Sequence, residues 1–375
     1  MGFLAAWGLF QGFAAIWVPL GLGVAYAMDA AGVALIARKG RSIAIALAIF
    51  TLVSAFVSSI MTTDYRWWPL CIAAGGLLAF RDQQTMHSLA WMPVRAHRRG
   101  GSSILALAAG SILGATMLAI VMVGAGFLAS LWNELPQAIA LAACVFLLPQ
   151  QVWRTPRQPL TQRATNPPPI SAHLEWLLRL SVLFNAVNFL GRRIVLPLAI
   201  ISLAARTNMG GDMMPLLGGV LGLMGLMGML ARLPFAMSRK TQGEALLSWG
   251  ARLSLLGWTC IGLGAALMSV VGLAWILMLS GWVLLEITNK TWATGYMEAL
   301  RVHSVGNKIT ASRSHRLALQ EFMAHKSLGG AVGCGAAALF TPAAAPWLVA
   351  ALAVGCWVWL ENPPSAAKVI SVDKK

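Results

Sequence analysis

The sequence predicts an all-α polytopic membrane protein built as two pseudo-symmetric bundles of about six helices, with about 11 to 12 spans and a short first helix. Three observations predict it. Of 375 residues, 58% are hydrophobic and 11% charged, whereas soluble globular chains carry about a quarter charged residues. The mean hydropathy is +0.72, concentrated in apolar runs that approach or exceed the roughly 20 residues needed to cross a bilayer. The polar residues fall in short turns between those runs, and the basic ones cluster on alternate turns. This composition excludes most soluble enzymes. Helices are expected because open strands would leave backbone groups unpaired in lipid, and the polar alternation of a barrel strand is absent.

Taken in order, the first span is the least regular. Pro19 starts a run that resembles a later one, which leaves a stunted first helix at about Gly2–Trp17. A single helix from Gly12 to Ala37, or a chain lacking the beginning of a longer sequence, are the alternatives. Clear spans follow at Ser42–Met61, Trp67–Trp91, Ser103–Leu128 and Leu135–Val152. The stretch Arg154–Ser171, rich in Pro, Arg and Asn, predicts a linker. Further spans are expected at Leu174–Ala204, Met214–Leu233, Leu246–Met268, Leu273–Tyr296, Leu317–Phe340 and Trp347–Leu360. The domain reading is an amino-terminal bundle over 1–153, a linker over 154–173, a carboxy-terminal bundle over 174–361 and a polar tail over 362–375.

The formal charge of +16 arises from 28 Lys and Arg against 12 Asp and Glu. Alternation puts Arg38–Arg41, Arg95–Arg99, Arg154–Arg163, Arg239–Lys240 and Arg301–Arg316 on one side, leaving only Arg66 and Arg206 in the opposite loops. By the positive-inside rule that side is cytoplasmic, so the linker and the carboxy terminus face the cytoplasm of a multi-pass protein in the bacterial inner membrane. Membrane lipids, not nucleic acid, are the expected partners of these clusters. The five cysteines are scattered singly in apolar runs without metal-ligand spacing, so neither a metal nor another cofactor is expected. No cleavable signal peptide is expected either, because the opening lacks a charged first region.

The halves resemble each other when shifted by roughly two hundred residues. Pro19-Leu20-Gly21-Leu22-Gly23-Val24 answers Pro215-Leu216-Leu217-Gly218-Gly219-Val220, and Arg38-Lys39 answers Arg239-Lys240. Gly75, Leu78, Thr85, Arg95 and His97 answer Gly281, Leu284, Thr291, Arg301 and His303 at one constant offset. Parallel repeats of this kind place a ligand site between halves near the membrane midplane.

In the turn Gly32-Val33-Ala34-Leu35-Ile36-Ala37-Arg38-Lys39-Gly40-Arg41-Ser42, the residues Arg38, Gly40 and Arg41 match the pattern found between the second and third helices of the major facilitator superfamily. Ala37 stands at the acidic position of that pattern and Ser42 at its last basic one. Arg81, midway along its span, and the spaced Gly110 and Gly114 add to the likeness. The chain therefore resembles that family of secondary transporters. The resemblance implies a monomeric, non-enzymatic carrier that moves a small solute by alternating access, with Arg38, Gly40 and Arg41 at a cytoplasmic gate. Independently of the family, Gly40 permits a positive φ for a tight reversal, and cations suit a cytoplasmic helix end.

Ionisable groups at bilayer depth are costly and mark pathways or internal pairs. Arg81 and Asp82 are adjacent, Glu286 and Lys290 share a helix face at i,i+4, and Arg192 and Arg193 follow Asn185 and Asn188. Arg81, Asn185, Asn188, Arg192, Arg193 and Lys290 are the expected substrate-binding residues, and Glu286 and Asp82 the expected proton-coupling ones. Cations outnumber acids here, which favours an anionic or zwitterionic solute. Arg179, Arg232, Arg252, Glu298 and Lys326 are expected to neutralise neighbours or reach the interface. Gly329, Gly330, Gly333 and Gly335 predict close helix packing. A flippase of the multidrug/oligosaccharidyl-lipid/polysaccharide type is the main alternative. A copper transporter suggested by the Met209–Met237 run and a membrane-embedded transferase rank below it.

Overall fold

In a computed structural model, the structure describes residues 17–61, 65–96, 134–155, 182–187, 243–304, 323–335 and 345–361, with isolated helical positions at 120, 124, 176, 179 and 180. Nearly all of these residues are helical, and no strand occurs among them. The helices are α1 (Trp17–Lys39), α2 (Arg41–Ile60), α3 (Trp67–Ala96), α4 (Leu135–Arg154), α5 (Gly243–Ala266), α6 (Val271–Ser304), α7 (323–335) and α8 (Ala345–Glu361).

Helix α2 shows what solvent the fold expects. Its buried face is Ala44, Thr51, Ser54, Ala55 and Ser58, while Ile49, Phe50, Val53, Phe56 and Ile60 are exposed. The hydroxyls turn back on their own helix: Thr51 donates to the Leu47 carbonyl at 2.7 Å and Ser54 to the Phe50 carbonyl at 2.9 Å. A whole helix face of bare Ile, Val and Phe is far beyond what water tolerates and suits acyl chains. Helix α4 repeats the pattern, exposing Ile139, Val145, Phe146 and Leu147. By length and apolar composition, α1, α2, α4 and the Val271–Thr288 part of α6 can each cross a membrane.

Small residues set the helix approaches. Gly75 of α3 lies against the Ala25 carbonyl of α1, and Gly76 against Thr51 of α2. Trp67 covers Gly21 and donates its indole N–H to the Trp17 carbonyl at 2.9 Å. Helices α5 and α6 cross at two glycines: a Cβ on Gly281 would fall 2.6 Å from the Gly257 carbonyl oxygen, and one on Gly257 3.0 Å from that of Gly281. Trp347 of α8 seats on Gly262 of α5.

Helix α7 joins distant parts of the chain. Gly329 and Gly333 lie against the Val182 and Ala186 carbonyls of the helical residues 182–187, and Gly330 packs under the Tyr26 ring of α1. The expected packing glycines thus include three that make such contacts, while a Cβ on Gly335 would meet nothing within 4 Å. Cys334 belongs to the same apolar core as Leu22, Tyr26, Trp67 and Phe80.

Several element limits differ from the sequence expectation. Helix α1 is continuous from Trp17 to Lys39 and runs through Pro19. Helix α6 runs past Tyr296 to Ser304, because its polar end remains helical beyond the apolar stretch. Pro149 lies inside α4 without ending it. The expected helix at Gly2–Trp17 falls outside the described residues except at Trp17. So do the expected spans Ser103–Leu128 (apart from 120 and 124) and Met214–Leu233, and nearly all of the linker.

Candidate functional site

Helices α1, α3 and α7 meet around a buried polar cluster. On α1, Tyr26, Asp29 and Val33 recur at i, i+3 and i+7 and so share a face; on α7, Met323, Lys326, Ser327 and Gly330 do the same. The two faces run antiparallel. Gly23 meets Ala331 and Cys334, Tyr26 meets Gly330, Asp29 meets Ser327, and Val33 packs in one core with Met323 and Ala79 of α3.

Within this seam, the Ser327 hydroxyl donates to Asp29 Oδ2 at 2.7 Å. Lys326 Nζ donates to Asp82 Oδ2 at 3.2 Å, and the Arg81 Nε and Nη2 groups donate to Asp82 Oδ1 at 2.9 and 2.6 Å. Asp29, Asp82 and Ser327 are each 1% exposed. The Asp82 carboxylate is therefore saturated by a cation on each oxygen, whereas Asp29 Oδ1 has no hydrogen-bond partner. With both acids ionised, the two carboxylates balance the two cations.

Exposure is unequal across the cluster. The side chain of Arg81 is 58% exposed and that of Lys326 24%, against 2% for Asp82. The acid anchors the cations, and the exposed guanidinium has the planar fork that suits a carboxylate or phosphate group. On the other flank of α7, Asn185 is buried with its Cβ 3.0 Å from where a Cβ on Gly329 would sit.

Glu286 is buried on α6, along with Trp282 and Thr288, whose indole N–H and hydroxyl lack partners. Asn188, Arg192, Arg193 and the side chain of Lys290 lie outside the described residues. At the α1–α2 turn, Gly40 has φ 67° and ψ −146°, a backbone region reserved for glycine. Arg41 donates to the Thr155 carbonyl at 3.0 Å and the Trp153 carbonyl at 2.7 Å, with its guanidinium over the Trp153 ring. That places it on the last carbonyls of α4, where a cation also meets the negative helix end. Arg38 is exposed. Just before α3, burial pushes the Arg66 guanidinium below its ordinary value, with the Glu134 carboxylate acting in the opposite sense.

Among the described residues, no group of three or more His, Cys, Asp or Glu side chains is placed to hold a metal ion. Sequence reasoning passed over Asp29 and Ser327 and treated Lys326 as a peripheral charge. The signal for Asp29 was available: it is the single acid in the apolar run from Trp17 to Ala37. Ser327 carried no signal, since a serine in an apolar helix usually satisfies itself on its own backbone.

No protein-family model and no curated protein matches the chain. Among solved structures, a crystal structure of a variant of the nucleoside transporter NupG is similar at a TM-score of 0.60 and 10% identity, covering 96% of this chain and 94% of the other. The chain thus shares the fold of that helical transporter over nearly its full length.

Proposed function

We propose that this protein is a secondary active transporter of the major facilitator type. It moves a small anionic or zwitterionic solute across the bacterial inner membrane by alternating access. The observation that carries this reading is the seam of α1, α3 and α7. There two buried acids and two cations join residues far apart in sequence. A purely structural helix pair rarely accepts the desolvation of two carboxyl groups, which apolar residues of equal volume would replace at little loss of stability. A contact that must break and re-form uses such groups well, because water and solute can replace the partners once the seam parts. The fold shared with NupG supports the transporter reading in general.

In this mechanism Arg81 presents its exposed guanidinium face to the solute while Asp82 fixes its position. Asn185 and Asn188, Arg192, Arg193 and Lys290 complete the solute site. The Arg38–Gly40–Arg41 turn holds the cytoplasmic ends of α1, α2 and α4 together as the gate moves. The linker and carboxy terminus face the cytoplasm, and the unit is a monomer in contact with anionic lipid. The test is uptake of a labelled panel of nucleosides, organic anions and amino acids into vesicles containing the purified protein. Saturable uptake of a panel member that falls at least tenfold in Arg81→Ala supports the reading. No counterflow of any charged or polar solute by folded protein would refute it.

A further inference from the structure

We infer that a proton on Asp29 controls closure of the α1–α7 seam, so that the carrier loads a proton at Asp29 each time the seam shuts. This rests on the transporter reading and deepens it by naming the group that takes the coupling ion, in place of Glu286 or Asp82.

The geometry separates the two acids. Asp82 has a cation against each oxygen and is suited to remain a carboxylate throughout. Asp29 receives one hydroxyl on Oδ2 and nothing on Oδ1, and is 1% exposed. A carboxylate enclosed with a single donor loses most of the hydration that an ion requires, whereas the neutral acid loses far less. The ionisable groups around it are Tyr26 on its own helix, Arg81 and Asp82 on α3, and Lys326 on α7. The two cations are committed to Asp82 by direct contact. Helix α2 offers no ionisable side chain between Ser42 and Ile60. Arg81 and Lys326 still act on Asp29 through space, and the Asp82 carboxylate opposes them.

When α7 separates from α1, water reaches Asp29 and the O–H bond of its carboxyl group breaks. The proton passes to water and the electron pair stays on the carboxylate. Re-closure requires the reverse, uptake of one proton from whichever side faces the opening. Closing on the bare carboxylate is disfavoured, which ties each closure to one proton.

Cys334 reports seam opening directly, since it is fully buried on α7 against Gly23. The experiment uses the full chain in lipid nanodiscs, with Cys71, Cys144, Cys260 and Cys356 replaced by alanine. Alkylation of Cys334 by a water-soluble maleimide is measured from pH 5.5 to 8.5 and divided by the rate of the unfolded chain at each pH. The normalised rate should rise about tenfold or more with pH, the factor that one pH unit of linked proton release provides. Asp29→Asn, a permanently neutral mimic, should be slow and pH-independent. Ser327→Ala keeps the acid and removes its donor, so it should react faster at every pH while retaining the pH response. A pH-independent parent, or an Asp29→Asn chain that responds like the parent, overturns the inference. Should Asp29→Asn fail to fold, the parent and Ser327→Ala profiles still decide it. Solute transport with a pH-independent seam would remove the proton from Asp29 and leave the carrier standing. A pH-gated seam in a protein that moves no solute would do the opposite.

Discussion

Removing the Lys326 amine tests whether the α3–α7 ion pair holds the seam. The perturbation is Lys326→Met, which keeps the stem and deletes the charge. At the observed 3.2 Å, two unit charges attract by about 5 kcal/mol at an effective dielectric constant near 20. Desolvation cancels much of this. Loss of one partner from a buried pair costs about 3–5 kcal/mol when the other is left alone. Here Asp82 keeps Arg81 at 2.6 Å, and Lys326 is 24% exposed, so a cost of about 2 kcal/mol is expected. That corresponds to roughly a thirtyfold rise in seam opening, read as the alkylation rate of Cys334 at pH 6. Asp82→Asn should also open the seam, and the double variant should cost about 1–2 kcal/mol less than the two single effects added, as for residues in direct contact. Strict additivity, or a Lys326→Met chain as closed as the parent, would refute the claim that this pair bridges the helices.

Other outcomes follow from specific contacts. Gly281→Ala places a methyl against the Gly257 backbone and should lower the thermal midpoint in detergent by an amount matching about 2 kcal/mol or more. Gly355→Ala, where a Cβ meets nothing within 4 Å, should be neutral or raise it through helix propensity. Gly40→Ala forces a side chain into φ 67° and should cost about 1–3 kcal/mol. Arg41→Lys loses the fork to the two carbonyls of α4 and should cost about 1 kcal/mol; equal midpoints for parent and variant would argue against that capping role. Ile49→Asp puts an acid on the bare face of α2 and should impair membrane insertion by about 3 kcal/mol, whereas unchanged membrane yield would place that face away from lipid.

The spans were legible because lipid imposes a simple rule on sequence. The runs at Ser42–Met61 and Leu135–Val152 reappear within about two residues as α2 and α4, since only a helix satisfies the backbone over such a length. The positive φ at Gly40 was legible for an equally local reason. Two helices abut there with one residue between them. The extension of α6 to Ser304 was less so, because hydropathy marks where lipid ends and not where hydrogen bonding ends. The Arg81–Asp82 pair was legible as adjacent charges in a span, but its link to Lys326 was not. That contact spans 244 positions and depends on the antiparallel register of α7 against α1, which no local pattern encodes. Asp29 and Ser327 belong to the same class. Each is an ordinary residue on its own helix and acquires a role only when the other is placed 2.7 Å away.

The most direct test is the distance between α1 and α7 in membranes, measured by double electron–electron resonance with spin labels at Leu35 and Leu328, both surface positions on those helices. Alternating access predicts two separations whose populations shift when transported solute or pH changes. One narrow separation, unaltered by either, would mean that the seam is a fixed joint and that the protein is not a carrier of this kind.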